Sequence, residues 1–188
     1  MRRWVSLTGL AALAGSLALI AITAAAAAPV VNHAVMKDLE IRFDRQIETF
    51  DINDPFYLLG NTRGIYLADY GAVFTAELNL VGAANVTPFR PEFTDEQKEQ
   101  LRQKKIGRLA VLKTMMRDMM VDSATTLDAV PPNEQIVVGT SLFYYSWEDR
   151  TGLPSQVLMQ AQRQAMLDFE SGRITGPQLD AAIRVTEY

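Results

Sequence analysis

The chain has no cysteine and one histidine, His33, among its 188 residues. Without cysteine there is no disulfide framework, no thiolate metal site and no sulfur nucleophile. One histidine cannot complete a zinc site of the His/Cys kind. His33 also lies close to the expected mature terminus, where packing too loose to hold a catalytic imidazole is the rule, so no Ser-His-Asp triad can be assembled around it. Phosphate-cradling glycine motifs are absent too: neither GxGxxG nor GxxxxGK[ST] occurs. Gly60 and Gly64 flank Asn61-Thr62-Arg63 without a strand before or a helix after. These absences leave the expectation that the protein needs no cofactor.

Charge of one sign is scarce at the N-terminus. Arg2 and Arg3 precede a stretch from Trp4 to Ala28 without a charged residue, rich in Leu, Ala and Ile and closing on the run Ala24 to Ala28. A positive start, an apolar middle and a small-residue end are the parts of an export leader. The expected boundaries are a leader over 1–28, cut near 26–28 because Pro29 is a poor first residue, and a single domain over 29–188. The rival is a membrane anchor over 4–28, since about 20 apolar residues span a bilayer. Thr8, Gly9, Gly15 and Ser16 dilute that stretch, and no basic cluster follows it before Lys37. Export, to a periplasm or the medium, is the reading the pattern favours.

The domain that remains, of about 160 residues, is long enough for a real core. The whole chain has 18 Lys and Arg against 22 Asp and Glu, a net charge of −4, and loss of the two leader arginines makes it more acidic still. Nucleic acid is therefore not an expected partner, and membrane contact is expected only through an uncleaved leader.

Apolar spacing predicts the elements. Met36, Leu39, Phe43, Ile47 and Phe50 recur at helical steps and mark a helix over 33–50. Ile65 to Leu67 and Ala72 to Val81 read as a β-hairpin around Asp69-Tyr70-Gly71. A linker with Pro88 and Pro91 leads to Thr94, which with Gln97 has the spacing of a capping box. The helix behind it is predicted to reach about Ala124, with Leu101, Leu109, Leu112, Met116, Met119 and Met120 as its stripe. Gln135 to Trp147, dense in β-branched and aromatic residues, reads as a long strand apolar on both faces. A returning strand over Ser155 to Gln160, a helix over Ala161 to Ser171 and a short helix over Pro177 to Val185 complete the chain. The expected fold is α+β: an antiparallel sheet of about four strands, in two hairpins, packed against a long amphipathic helix and shorter ones.

Candidate chemistry is sparse. Asp51, Asn53 and Asp54 begin like a calcium loop, but Pro55 stands where a ligand belongs and no glycine follows it. Asn85-Val86-Thr87 is a glycosylation sequon disfavoured by Pro88. The methionines Met115, Met116, Met119 and Met120 read as core filler. Asp69, Glu77, Glu148 and Asp149 could supply a carboxylate pair for hydrolysis if two converged, although turn and solvent preferences explain them separately. Less bland is the basic stretch of the long helix. Lys98, Arg102 and Lys105 share the side that later carries Leu109, Leu112 and Met116, as if the first turns projected beyond the core. The expectation is an exported, bacterial-type protein without catalysis, presenting Lys98, Arg102 and Lys105 to an envelope protein or acidic polymer. A carboxylate-dependent hydrolase is the alternative.

Overall fold

The computed structural model describes residues 31–82 and 93–188. The leader, the sequon and the two linker prolines lie outside them. No helix among the described residues is long and apolar enough to cross a membrane.

The first helix, α1 (His33–Thr49), starts where Asn32 accepts the Ala34 amide, and its apolar stripe buries Met36, Leu39, Phe43 and Ile47. A two-residue strand β1 (Tyr57–Leu58) follows, then the hairpin of β2 (Arg63–Leu67) and β3 (Gly71–Asn79). Asp69 takes φ 66° and Gly71 φ 137° in the turn. At Gly71 a Cβ would run into the backbone of Gln135, so the tight approach of the next strand requires glycine there. The long helix α2 (Asp95–Thr126) begins with the full capping box: Thr94 accepts the Gln97 amide, and the Gln97 side chain accepts the Thr94 amide. After it come β4 (Gln135–Leu142), β5 (Gln156–Gln162), α3 (Arg163–Glu170), α4 (Gly176–Ala182) and β6 (Arg184–Glu187).

The six strands form one sheet in the order β1-β3-β4-β5-β6, with β2 beside β1 along the same edge of β3. The fold is α+β, as expected, and both predicted hairpins are present. The sheet is mixed rather than antiparallel: β3 and β4 run parallel from Gly71↔Gln135 to Leu78↔Leu142. The reason is the connection. Parallel neighbours need a crossover of a dozen or more residues, and α2 lies within the segment joining β3 to β4. The two hairpins are thus welded through a strand–helix–strand unit.

Alternation along the strands sorts the faces. Ala72, Phe74 and Leu78 of β3, Ile136, Val138 and Leu142 of β4, and Val157, Met159 and Ala161 of β5 enter one core with residues of all four helices. Phe43 of α1 meets Phe74 edge-on at 5.1 Å. Thr75, Glu77 and Ser141 alternate with these residues and lie outside that core. The methionines of α2 are core, as predicted: Met115, Met116, Met119 and Met120 are all buried.

Most boundaries shift by one or two residues, as where β5 takes Ala161 and Gln162 from the start of the expected third helix, and two differ by more. β4 stops at Leu142, and Phe143, Tyr145 and Trp147 belong to the loop beyond it. The pairing ends there: Ser141 is matched to Gln156, the first residue of β5, and Leu142 to Leu78, one residue before the end of β3. The last helix ends at Ala182 rather than Val185, and Arg184 to Glu187 instead fill the free edge of β5. Ile183, Val185 and Thr186 are β-branched, so the sheet edge prevails over a weak helical tendency.

Candidate functional site

The basic stretch of α2 lies against the loop that follows β4. Lys105 is fully buried, and its ammonium is 2.5 Å from a carboxylate oxygen of Glu148, itself 4% exposed. The other Glu148 oxygen accepts the Tyr145 amide at 3.1 Å. The Tyr144 ring sits 4.8 Å from the ammonium, and its hydroxyl donates to Pro154 O, closing the loop on itself. Burial holds the Lys105 ammonium below its ordinary range despite the Glu148 carboxylate, which acts the other way. Burial, with the charge of Glu148 added, pushes the Tyr144 phenol up to about 12.

One turn earlier, Arg102 is held by the same loop. It donates to Glu99 at 2.6 and 2.8 Å and to Thr151 O at 2.9 Å, and Asp149 lies 3.7 Å away. The Arg102 hydrogen bonds and one from Gln103 hold the Glu99 carboxyl down to about 2. Lys98 is nearest the helix start and pairs with Asp95 at 3.3 Å. The three nominated cations therefore differ in kind. Lys98 and Arg102 keep exposed surface, whereas Lys105 is interior and touches only the protein. Further along, Arg108 clamps the loop after α1: it pairs with Asp54 at 2.6 Å and covers the Phe56 ring at 4.3 Å. Lys104 reaches the same Asp54 carboxylate at 3.0 Å. The Asp51–Asp54 turn is thus a receptor for helix cations rather than a calcium loop.

Of the nominated carboxylates, Glu148 and Asp149 are neighbours in one loop, and Asp69 and Glu77 lie apart on the β2–β3 hairpin. Asp69 sits in the β2–β3 turn, and Glu77 lies six residues past Gly71 along β3, roughly 20 Å at strand spacing. Glu77 is an exposed residue of β3, while Glu148 is tied to Lys105 of α2. Asp149 accepts the amide and hydroxyl of Thr151 at 2.9 and 2.7 Å. His33 is exposed in the first turn of α1. No group of three or more His, Cys, Asp or Glu able to hold a metal occurs among the described residues.

The aromatic residues past β4 stack on one another. Trp147 lies between Phe93 at 4.5 Å and Tyr145 at 5.5 Å, near-parallel to both, and Phe143 meets Tyr145 edge-on at 5.0 Å. These aromatic side chains pack on one another and hold the loop together.

The chain matches no protein-family model, no curated protein and no solved structure. What it does must be read from its own side chains.

Sequence reasoning missed a second charged locus, at the far end of α2. Lys113, Thr114 and Arg117 form one wall of a cleft of about 240 Å³, with Asp180 of α4 opposite and Met159, Ile183 and Val185 as an apolar floor. Lys113 pairs with Glu187 of β6, and Arg117 donates through Nε to Asp180 at 2.6 Å. The four-residue spacing of Lys113 and Arg117 was legible as a helix-surface pair. Their acidic partners, more than sixty residues away in sequence, were not.

Proposed function

We propose that this protein is exported and works without catalysis, as a secreted or envelope domain that binds an envelope protein or acidic polymer through the N-terminal half of α2. The observation that carries this reading is the Lys105–Glu148 pair. It removes from chemistry the carboxylate that a hydrolase reading most needed, and it fixes the 143–154 loop against the helix as a rigid surface. In this reading Lys98 and Arg102 contact the partner and Lys105 holds the surface in shape. The charged leader start and its alanine-rich end support export, and the acidic balance of the chain argues against nucleic acid as the partner.

Expression with the native N-terminus tests the address. The expected product outside the cytoplasm has lost the leader at one of residues 26–28, whereas a full-length chain in the membrane would favour the anchor instead. Retention on an immobilised envelope fraction tests the surface. The double variant Lys98→Glu, Arg102→Glu is expected to lose the partner while melting like the parent. Undiminished retention would sink this surface as the site of binding.

A further inference from the structure

β6 closes one end of the sheet: Arg184–Glu187 pair with β5, and no described strand lies on their other side. Tyr188 and Gln156 exchange both backbone hydrogen bonds. By the alternation of an antiparallel ladder, β5 then takes the N–H and C=O groups of Arg184 and Thr186, and those of Val185 and Glu187 face outward. At the opposite edge of the sheet the chain covers such groups itself. The Gly64 amide of β2 donates to Glu40 and the preceding Thr62 amide to Asp44, so two carboxylates of α1 blunt that edge. On β6 Arg184, Val185 and Glu187 are exposed, Val185 by 44%, and Tyr188 beyond them by 65%.

The open edge matches a second copy of itself. An antiparallel partner placed with Thr186 opposite Thr186 sets Val185 against Glu187 in both directions, so the outward groups of both copies are paired. Thr186 with Thr186 and Arg184 with Tyr188 are then the non-hydrogen-bonded pairs, where side chains approach most closely. The first is a favourable cross-strand pair, and the second lays a guanidinium on an exposed ring. No like charges meet. Sliding the partner two residues one way puts Glu187 against Glu187. Sliding it the other way sets Glu187 against Ile183, which is buried where α4 ends. The charges on this short edge thus select one register rather than forbid pairing.

We infer that β6 is a self-association edge: two copies join through it about a twofold axis at Thr186, and the sheet continues from one molecule into the next. So short a strand makes a contact of the weak, transient class. It is built on backbone groups of β6 rather than on the basic side chains at the start of α2. It therefore stands or falls independently of the binding surface proposed above.

Sedimentation equilibrium of the purified protein, expressed with its native N-terminus, tests the assignment. The expected result is a monomer–dimer equilibrium in which the dimer fills in between about 0.1 and 1 mM. Val185→Pro removes an outward amide that β5 does not use, and is expected to leave a monomer that melts like the parent. Thr186→Lys keeps every backbone group in place, and the like charges it sets face to face are expected to weaken the dimer roughly fivefold. Thr186→Glu alone should do the same, whereas an equimolar mixture of the two variants should associate more tightly than either. A monomer at every concentration up to about 1 mM would overturn the inference, even one that captures an extended peptide of another protein on the same edge. So would a dimer indifferent to these substitutions. Tightening by Thr186→Glu on its own would also overturn it, since that belongs to a register in which Thr186 faces Arg184.

Discussion

At the scale of single residues, the decisive feature is a lysine with no access to water. Removing a charge of either sign from the Lys105–Glu148 pair strands its partner in the interior. Lys105→Ala is expected to cost about 3–5 kcal/mol in urea unfolding, while Lys105→Met with Glu148→Leu, which removes both charges at similar volume, should recover most of that loss. A double variant as unstable as the single one would mean that the loop is held by something other than this pair. Tyr144 provides an independent reading of the same environment. Its phenol is raised from 10.0 to about 12, so its stabilising contribution is complete below pH 10 and lost as pH rises through 12. Ultraviolet titration of the phenolates should show a late phase near pH 12 that disappears in Tyr144→Phe.

Among the elements, α2 carries the most. It supplies the crossover between β3 and β4, the methionine-lined heart of the core and both charged loci. Its start rests on a local device, and Thr94→Ala, which removes the capping hydroxyl, is expected to cost about 1 kcal/mol without altering the fold. The β2–β3 turn rests on a non-local one. Gly71→Ala would combine a positive φ with collision against Gln135, at the first rung of the only parallel pairing in the described sheet. The cost should be at least about 1–3 kcal/mol, and a midpoint in urea unchanged from the parent would contradict the close approach. Thr94 and Gln97 were readable in advance because a capping box is written within four residues. Gly71 announced a turn, but the strand it makes room for begins at Gln135.

For the molecule as a whole, stability should fall on the acid side. Burial raises the Glu40 carboxyl, but hydrogen bonds from Lys37 and the Gly64 amide, at 2.8 Å each, outweigh it and leave the group below its ordinary 4.5. Burial also raises Asp54, and Lys104 and Arg108 outweigh that, leaving it below 3.8. A native value below the unfolded one means a contribution present above the ordinary value and lost as pH falls through the native one. Glu40 binds α1 to β2, so Glu40→Gln should flatten the decline in urea midpoint below about pH 4.5 relative to the parent. An acid limb of unchanged steepness would remove Glu40 from its causes.

Residue order alone determined the local features: the stripe of α1, the capping box of α2, the hairpins and the Met-rich stripe of the core. Each depends on neighbours a few positions apart, where period and turn chemistry act. Tertiary structure alone decided which charges are used up and which stand across a cleft. Lys98, Arg102 and Lys105 look alike along the helix, yet only Lys105 meets a carboxylate from forty-three residues away in a place without water. The parallel weld of β3 to β4 and the strand made of Arg184 to Glu187 were settled the same way. Partners brought together by the fold outweigh the weak preferences of the segment itself, and that competition has no trace in a short stretch of sequence.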